Sequence, residues 1–127
     1  MTELPRPTDA ELEILRVLWR LGPSPVRRVH QELSEGRTIG STTVLKLMQI
    51  MYGKGLVTRD DSRRPQVYTS RIGEAETQRQ LVRDLLSRAF GGSHRQLVLQ
   101  ALAERQASER ELAEIEALLD RMEEDGR

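Results

Sequence analysis

Cysteine is absent from this chain of 127 residues, and aromatic residues make up 3% of it. Without cysteine the protein has no disulfides, no thiolate metal ligands and no cysteine nucleophile. With one Trp, one Phe and two Tyr, any core must consist of aliphatic side chains. No apolar run approaches the ~18–20 residues that span a bilayer, and the first residues lack the basic and then apolar pattern of a signal peptide. We therefore expect a cytoplasmic, soluble protein without membrane insertion.

A net charge of zero conceals a difference between the two halves of the chain. Residues 1–71 contain 12 Lys/Arg and 8 Asp/Glu, a balance of +4, and residues 72–127 contain 8 and 12, a balance of −4. A basic first part and an acidic second part suggest that only the first meets a polyanion.

Two helices are predicted near the beginning of the chain. Thr8 and Glu11 have capping-box spacing, in which the hydroxyl accepts a first-turn N–H and the carboxylate reaches back. Gly22 ends this helix, since glycine adopts the left-handed conformation without a clash. Ser24 is predicted to cap a second helix that has a proline in its first turn, and Gly36 closes it.

A third helix and a β-hairpin follow. Residues 38–39 are compatible with a very short strand, and a hydroxyl-capped amphipathic helix starts at residues 40–41. Its core face repeats at helical spacing and consists of Val44, Leu47, Met48 and Met51. Glycines stop the helix, and two alternating segments then flank a turn that carries Arg63 and Arg64. Helix, glycine stop and cationic hairpin in this order predict the second half of a winged helix-turn-helix.

The pattern changes after the hairpin, which predicts a winged-helix domain over residues 1–72 and a helical dimerisation domain over residues 73–127. Helices are expected from about residue 74 to residue 90, after a Ser93 cap and after a Ser108 cap. Their apolar stripes are too short and too few for a good isolated core, and an oligomer would bury them. The residues expected in the dimer interface are Leu81, Leu85, Leu112, Ile115, Leu119 and Met122. The predicted fold class is mainly α with a small β-hairpin.

The exposed side of the third helix and the hairpin tip suit nucleic acid. A helix N-terminus at Ser41 favours a phosphate, and Lys46 and Gln49 lie about one turn apart, where Gln can pair with adenine. The alternative is that these are ordinary solvated residues, but their occurrence beside a glycine stop and a cationic hairpin favours DNA. The expected DNA-contacting residues are Arg37, Ser41, Thr42, Thr43, Lys46, Gln49, Lys54, Arg63 and Arg64.

Catalysis and metal binding have little support in the sequence. His30 and His94 are far apart and have no metal-binding partner near them in the chain. The glutamates between residues 104 and 124 alternate with arginines, as on a solvated helix face. Residues 53–55 lack the spacing of a phosphate-binding loop. We therefore expect a protein that is not an enzyme and that uses no metal and no cofactor.

Several short segments form a recognisable set: residues 8–15 with Leu18-Trp19, and residues 26–30, 42–45, 54–57 and 97–99. They are similar to the matching segments of the penicillinase-repressor family, the BlaI/MecI/CopY-type winged-helix repressors of bacteria, and the resemblance runs from about Thr8 to Met122. It implies a homodimer whose N-terminal winged helices bind a palindromic operator and whose C-terminal helices dimerise. It further implies derepression when a membrane-bound sensor metalloprotease triggers cleavage in the dimerisation part.

The chain departs from this family pattern in three places. Ile50 stands where members often carry an arginine late in the recognition helix. Gln100-Ala101 aligns with the Asn–Phe bond that is cut in the antibiotic-responsive members. The C-terminal cysteine cluster of the copper-responsive branch has no counterpart. Two other functions stay open: a winged helix for protein contact, with a neutral or apolar third-helix face, and a ligand-sensing regulator, with an aromatic-lined pocket.

Overall fold

Six helices and two strands follow one another within the residues that the computed structural model describes, 5–104 and 108–126. They are α1 (Asp9–Leu21), α2 (Val26–Leu33), α3 (Ser41–Lys54), β1 (Val57–Asp60), β2 (Val67–Ser70), α4 (Glu74–Ala89), α5 (His94–Ala103) and α6 (Glu109–Asp125). The chain divides into two compact units, Met1–Arg79 and Gln80–Arg127. The predicted fold class, mainly α with a small β-hairpin, is confirmed. None of the described helices is long and apolar enough to cross a membrane.

The first helix begins at the predicted capping box. The N–H of Glu11 donates to Thr8 Oγ1 at 3.2 Å, and the N–H of Thr8 donates to Glu11 Oε1 at 2.9 Å. Gly22 ends α1 with a φ of 83°, so both predicted ends are confirmed. The face of α1 that enters the core consists of Ile14, Leu15, Val17 and Leu18.

The start of α2 differs from the prediction. Its N-cap is Pro25, and Ser24 instead forms an antiparallel bridge with Tyr68, in which each N–H lies 2.9 Å from the other residue's carbonyl oxygen. The Ser24 hydroxyl donates to the carbonyl oxygen of Gly22. The prediction that Ser24 caps α2 is therefore wrong, because its backbone extends the sheet of the hairpin and its hydroxyl closes the preceding turn.

The connection between α2 and α3 is irregular. α2 ends at Leu33, and Gly36 lies in the turn beyond it with a φ of 84°. Residues 38–40 take no regular secondary structure, so the short strand predicted there is wrong. The carbonyl oxygen of Ile39 lies 2.7 Å from His30 Nε2, which is a hydrogen bond when that nitrogen carries the proton. This contact ties the connection to α2 in place of sheet pairing.

The third helix has the predicted core face but not the predicted cap. Its N-cap is Gly40, and no described side chain caps its first turn. The hydroxyl cap is wrong because Ser41 is itself the first helical residue. Gly55 ends α3 in the left-handed conformation, with a φ of 82°. The buried residues of the helix are Val44, Met48 and Met51, with Leu47 packed against them.

The hairpin packs on α1. β1 and β2 pair antiparallel with Arg59 opposite Tyr68, and Tyr68 belongs to the buried core. Trp19 Nε1 donates to Ser70 Oγ and to the carbonyl oxygen of Ile72, each at 2.9 Å. These bonds hold the base of the hairpin, the wing, against the first helix.

The second unit has strong local helix signals and little burial. The hydroxyl of Ser93 accepts from the N–H of Gln96, and that of Ser108 accepts from the N–H of Glu111, so both predicted caps are confirmed. Among the described residues of α5 and α6, none is buried. The large exposed apolar side chains of these two helices are Val98, Leu99, Leu112, Leu118, Leu119 and Met122.

Candidate DNA-binding surface

A line of exposed residues runs along α3 opposite its core face. Thr42, Lys46, Gln49 and Gly53 are spaced by three or four residues, which places them above one another on a helix of about 3.6 residues per turn. All four are exposed. The structure thus brings the predicted polar residues of the helix onto one accessible face.

The N-terminus of α3 is open as well as exposed. Ser41, Thr42 and Thr43 form its first turn, and all three are accessible. Because Gly40 offers no side chain, the first-turn N–H groups have no side-chain acceptor in the described part of the chain. Free N–H groups and the positive end of the helix dipole make this turn suitable for a phosphate oxygen.

Lys54, predicted to flank the helix as a free cation, is tied into the fold. Its Nζ lies 3.0 Å from Glu11 Oε1 and 2.9 Å from Oε2, and Glu11 is 1% exposed. Burial alone would raise the pKa of Glu11, but the hydrogen bonds from Thr8 and Lys54 and the ammonium charge lower it overall. The ion pair joins the start of α1 to the end of α3, which sequence reasoning missed, although the capping glutamate was identified.

Arg37, on the other flank, pairs more loosely. Its Nη2 lies 2.7 Å from Glu13 Oε2, and both side chains are close to half exposed. An exposed pair of this kind contributes little stability, about 0–1 kcal/mol. Arg37 therefore exchanges one anion for another at little cost, whereas Lys54 does not.

The predicted wing arginines lie at the exposed turn of the hairpin. Asp60 accepts from the hydroxyl of Ser62 at 2.6 Å and from its N–H at 3.0 Å, and these bonds, with the charge of Arg63, lower the pKa of Asp60. Arg64 Nη1 donates to the carbonyl oxygen of Asp61 at 3.0 Å. The tip presents two guanidinium groups, and the two aspartates partly offset their charge.

A second feature that sequence reasoning missed connects the wing with α3. The guanidinium carbon of Arg59 lies 4.2 Å from the centroid of the Tyr52 ring, a cation–π contact. Arg59 Nε also donates to Asp61 Oδ1 at 2.6 Å, which raises the pKa of Arg59, and Gln66 Nε2 donates to the same oxygen at 2.9 Å. The only sequence signal was an aromatic residue in the last turn of α3 followed by an Arg–x–Asp spacing. The cluster orients the wing beside the end of the helix.

The residues predicted for dimerisation lie in α4 and α6. Leu81 and Ile115 are partly buried, and the others are exposed in the single chain: Leu85, Leu112, Leu119 and Met122. Gln100 and Ala101, aligned with the family's cleavage point, are exposed in α5.

Comparison with known proteins confirms the resemblance predicted from the sequence. A family model described as Penicillinase repressor matches residues 7–121. The Transcriptional regulator BlaI of Mycobacterium tuberculosis is 35% identical over 124 residues, which cover 92% of this chain and 90% of that protein. The Penicillinase repressor of Bacillus licheniformis is 28% identical over 120 residues, 94% of each chain.

A solved structure is similar to the first part of the chain. The solution structure of the Bacillus licheniformis BlaI monomeric form in complex with the blaP half-operator covers 60% of this chain and 93% of that chain, with 30% identity and a TM-score of 0.51. Together with the family model, which spans nearly the whole sequence, this gives the family: the chain belongs to the penicillinase repressor family.

Proposed function

We propose that this chain is a transcriptional repressor that binds duplex operator DNA through α3 and the wing. The observation that supports this most is the polar, exposed line on α3 in a fold similar to that of BlaI, which has been solved in complex with a half-operator. The relatives are named as repressors and regulators rather than as enzymes.

Each predicted residue then has a role. Lys46 and Gln49 face base edges in the major groove, where Gln pairs with adenine through two hydrogen bonds. Ser41, at the open first turn, binds a phosphate. The remaining residues position the protein on the backbone or contact thymine methyl groups, and they are Arg37, Thr42, Thr43, Arg63 and Arg64. Lys54 acts indirectly, by fixing the end of α3 through Glu11.

Assembly is the second part of the proposal. Leu112, Ile115, Leu119 and Met122 recur at three- and four-residue spacing along α6, and the last two are 53% and 61% exposed. A second copy of the chain would bury this stripe, together with Leu81 and Leu85 of α4. A two-fold dimer binds two half-sites, so the operator should be roughly palindromic. A functional division between residues 1–72 and 73–127 follows from the same reasoning.

Release of DNA would follow from cutting the dimerisation part. Two linked DNA-binding units gain affinity from their high effective concentration, and separated units lose that gain. Gln100-Ala101 lies on an exposed helical segment, so a protease must open α5 locally before it can cut there. A membrane-bound sensor protease is the partner that the family resemblance implies for this step.

One observation favours the protein-contact alternative. Ile50 is 44% exposed, and Leu45 and Tyr52 on the same helix are also exposed. They lie to either side of the Lys46–Gln49 line rather than on it, and apolar side chains also contact thymine methyl groups. DNA therefore accounts for the whole face, including its apolar edges.

The ligand-sensing alternative finds less support in the clefts. A cleft of about 560 Å³ in the first unit is lined by both acidic and basic residues, with Trp19 as its aromatic member. The Trp19 N–H already donates to two acceptors. A regulator of this type would require an apolar, aromatic pocket.

Fluorescence anisotropy with a labelled mixed-sequence duplex over a range of salt concentrations tests DNA binding. We expect affinity to fall steeply as salt rises, because Lys and Arg displace counterions from phosphates. Lys46→Gln should weaken binding, whereas the matched charge removal Arg110→Gln on α6 should have no effect. Wild-type affinity that is absent or independent of salt would overturn the proposal.

A further inference from the structure

Gly53 is a glycine inside a helix that requires none. α3 continues through Lys54, and the glycine that ends it with a positive φ is Gly55. Gly53 is not among the described residues with positive φ. Glycine destabilises a helix interior more than any residue except proline, so its presence here calls for a reason.

Packing within the chain supplies no such reason. A Cβ added at Gly53 would find no described heavy atom within 4 Å outside its own turn of helix and its chain neighbours. At Gly55, by contrast, the Cβ would lie 3.1 Å from Arg71 Nη1, and the φ of 82° itself favours glycine. The fold therefore explains Gly55 but not Gly53.

The position of Gly53 relates it to the proposed DNA-binding residues. It follows Gln49 by four residues and Lys46 by seven, on the same exposed line. The rise of about 1.5 Å per residue puts it about 6 Å beyond Gln49 along the helix. A molecule that lies on both Lys46 and Gln49 passes directly over Gly53.

Groove dimensions indicate which part of DNA reaches that point. The major groove is about 12 Å wide, and a helix of 14 residues is about 21 Å long. When Lys46 and Gln49 lie in the groove, the last turn of α3 extends to its edge, where the sugar-phosphate backbone runs. Gly53 has no side chain with which to read a base, which fits a contact with the backbone.

We infer that Gly53 is a close-approach position, at which a DNA sugar-phosphate strand packs against the main chain of the last turn of α3. The inference rests on the proposed DNA-binding function and adds to it a residue that acts through its lack of a side chain. Its stability cost to the helix is offset by closer docking of the recognition face.

The test uses two substitutions in the full-length protein. Gly53→Ala and Gly53→Leu both improve helix propensity, by similar amounts, but they differ in volume. Both should raise the thermal unfolding midpoint. Affinity for the labelled mixed-sequence duplex should fall about fivefold or more for alanine, the size of a forced overlap in a packed contact, and further for leucine.

A control separates stability from contact. Ser87→Ala, at an exposed position in α4, also improves helix propensity, and it should leave DNA affinity unchanged. Sedimentation should show the same assembly state for all variants. The result that supports the inference is therefore a pair of opposite changes: higher stability and lower affinity, graded with side-chain volume.

The remaining outcomes each overturn it. If wild-type protein fails to bind, both the proposed function and this inference fall. If wild-type protein binds and the Gly53 variants bind equally well, only the inference falls. Lower stability in Gly53→Ala would mean that the fold itself requires glycine, and a changed sedimentation profile would mean that affinity fell through assembly; either result replaces the DNA contact.

Discussion

The two units of this protein use the same local helix signals and reach opposite degrees of burial. In the first unit, α1 places five residues in the buried class, and the core includes side chains from three helices and the hairpin. In the second, the described parts of α5 and α6 bury none, although both helices begin at a serine cap. Caps specify where a helix begins, and only packing determines whether it is stable alone.

The difference separates the two tasks of the molecule. The first unit has a finished core and presents a polar face, as expected of a surface that meets a charged polymer. The second presents apolar stripes, as expected of helices that are completed by another copy of the chain. We propose that the first binds DNA and the second joins two chains.

The largest effect is expected from a charge placed on the apolar stripe of α6. Ile115→Glu should give monomers in sedimentation, because a carboxylate buried between chains would be unpaired. Operator affinity should then fall by about 10²–10⁴, the gain that linkage of two binding units provides. The first unit should remain folded, with its near-ultraviolet circular dichroism unchanged.

A matched substitution on the same helix is Glu116→Gln, at an exposed position beside Ile115. It changes charge without entering the stripe, and it should leave both assembly and affinity as in the wild type. A wild-type protein that is monomeric at micromolar concentration would remove the basis for the contrast.

Truncation after Gln100 should act in the same direction and to a similar or smaller extent. The fragment retains α4 and lacks α6, so it loses the stripe but keeps Leu81 and Leu85. Titration of the operator should show weaker binding because the two DNA-binding units are no longer linked. Full-length affinity in the fragment would show that the C-terminal helices do not support binding.

A smaller effect is expected at the wing. Arg63→Ala combined with Arg64→Ala should lower affinity for all duplexes and reduce the slope of log K against log salt by at most about 1.8, or 0.9 for each phosphate released. Gln49→Ala should instead change sequence preference, because base contacts specify and phosphate contacts position. An unchanged salt slope in the double variant would exclude the wing from the interface.

The smallest effect concerns stability of the first unit. Glu11→Gln should lower its free energy of unfolding near neutral pH by about 1–2 kcal/mol, because the charge-assisted bonds from Lys54 are weakened. The estimate is discounted for Lys54, whose side chain is 39% exposed. Urea unfolding followed by tryptophan fluorescence measures this difference, since Trp19 is the only tryptophan.

The same pair predicts a pH dependence. The pKa of Glu11 is lowered in the folded state from its ordinary value of 4.5, so the stabilisation is present above that value and is lost as pH falls through the lowered folded-state pKa. Glu11→Gln should therefore differ from wild type at neutral pH and approach it in acid. A difference that persists at low pH would assign the effect to packing instead.

Periodicity and glycine positions predicted most of the fold. The core face of α3 and its glycine stop depend on residues close together in sequence, and the structure confirms them. Ser24 was assigned a helix cap because serine before proline is a local signal. Its true partner, Tyr68, is 44 residues away in the chain, and no local pattern indicates such a pairing.

The candidate surface shows the same limit. The line of exposed residues on α3 follows from helical spacing alone, and it was predicted. Whether a cation is free depends on tertiary neighbours, and the pairs Lys54–Glu11 and Arg59–Tyr52 join segments that the sequence does not connect. The family resemblance gave the function of the fold but not these contacts.

Backbone amide chemical shifts, recorded for the full-length protein as duplex DNA is added, test the division of tasks most directly. We expect the largest changes in residues 41–53 and in the turn of the wing, and small changes in α6. Changes concentrated in α5 and α6, with the α3 amides unaffected, would contradict the assignment of DNA binding to the first unit.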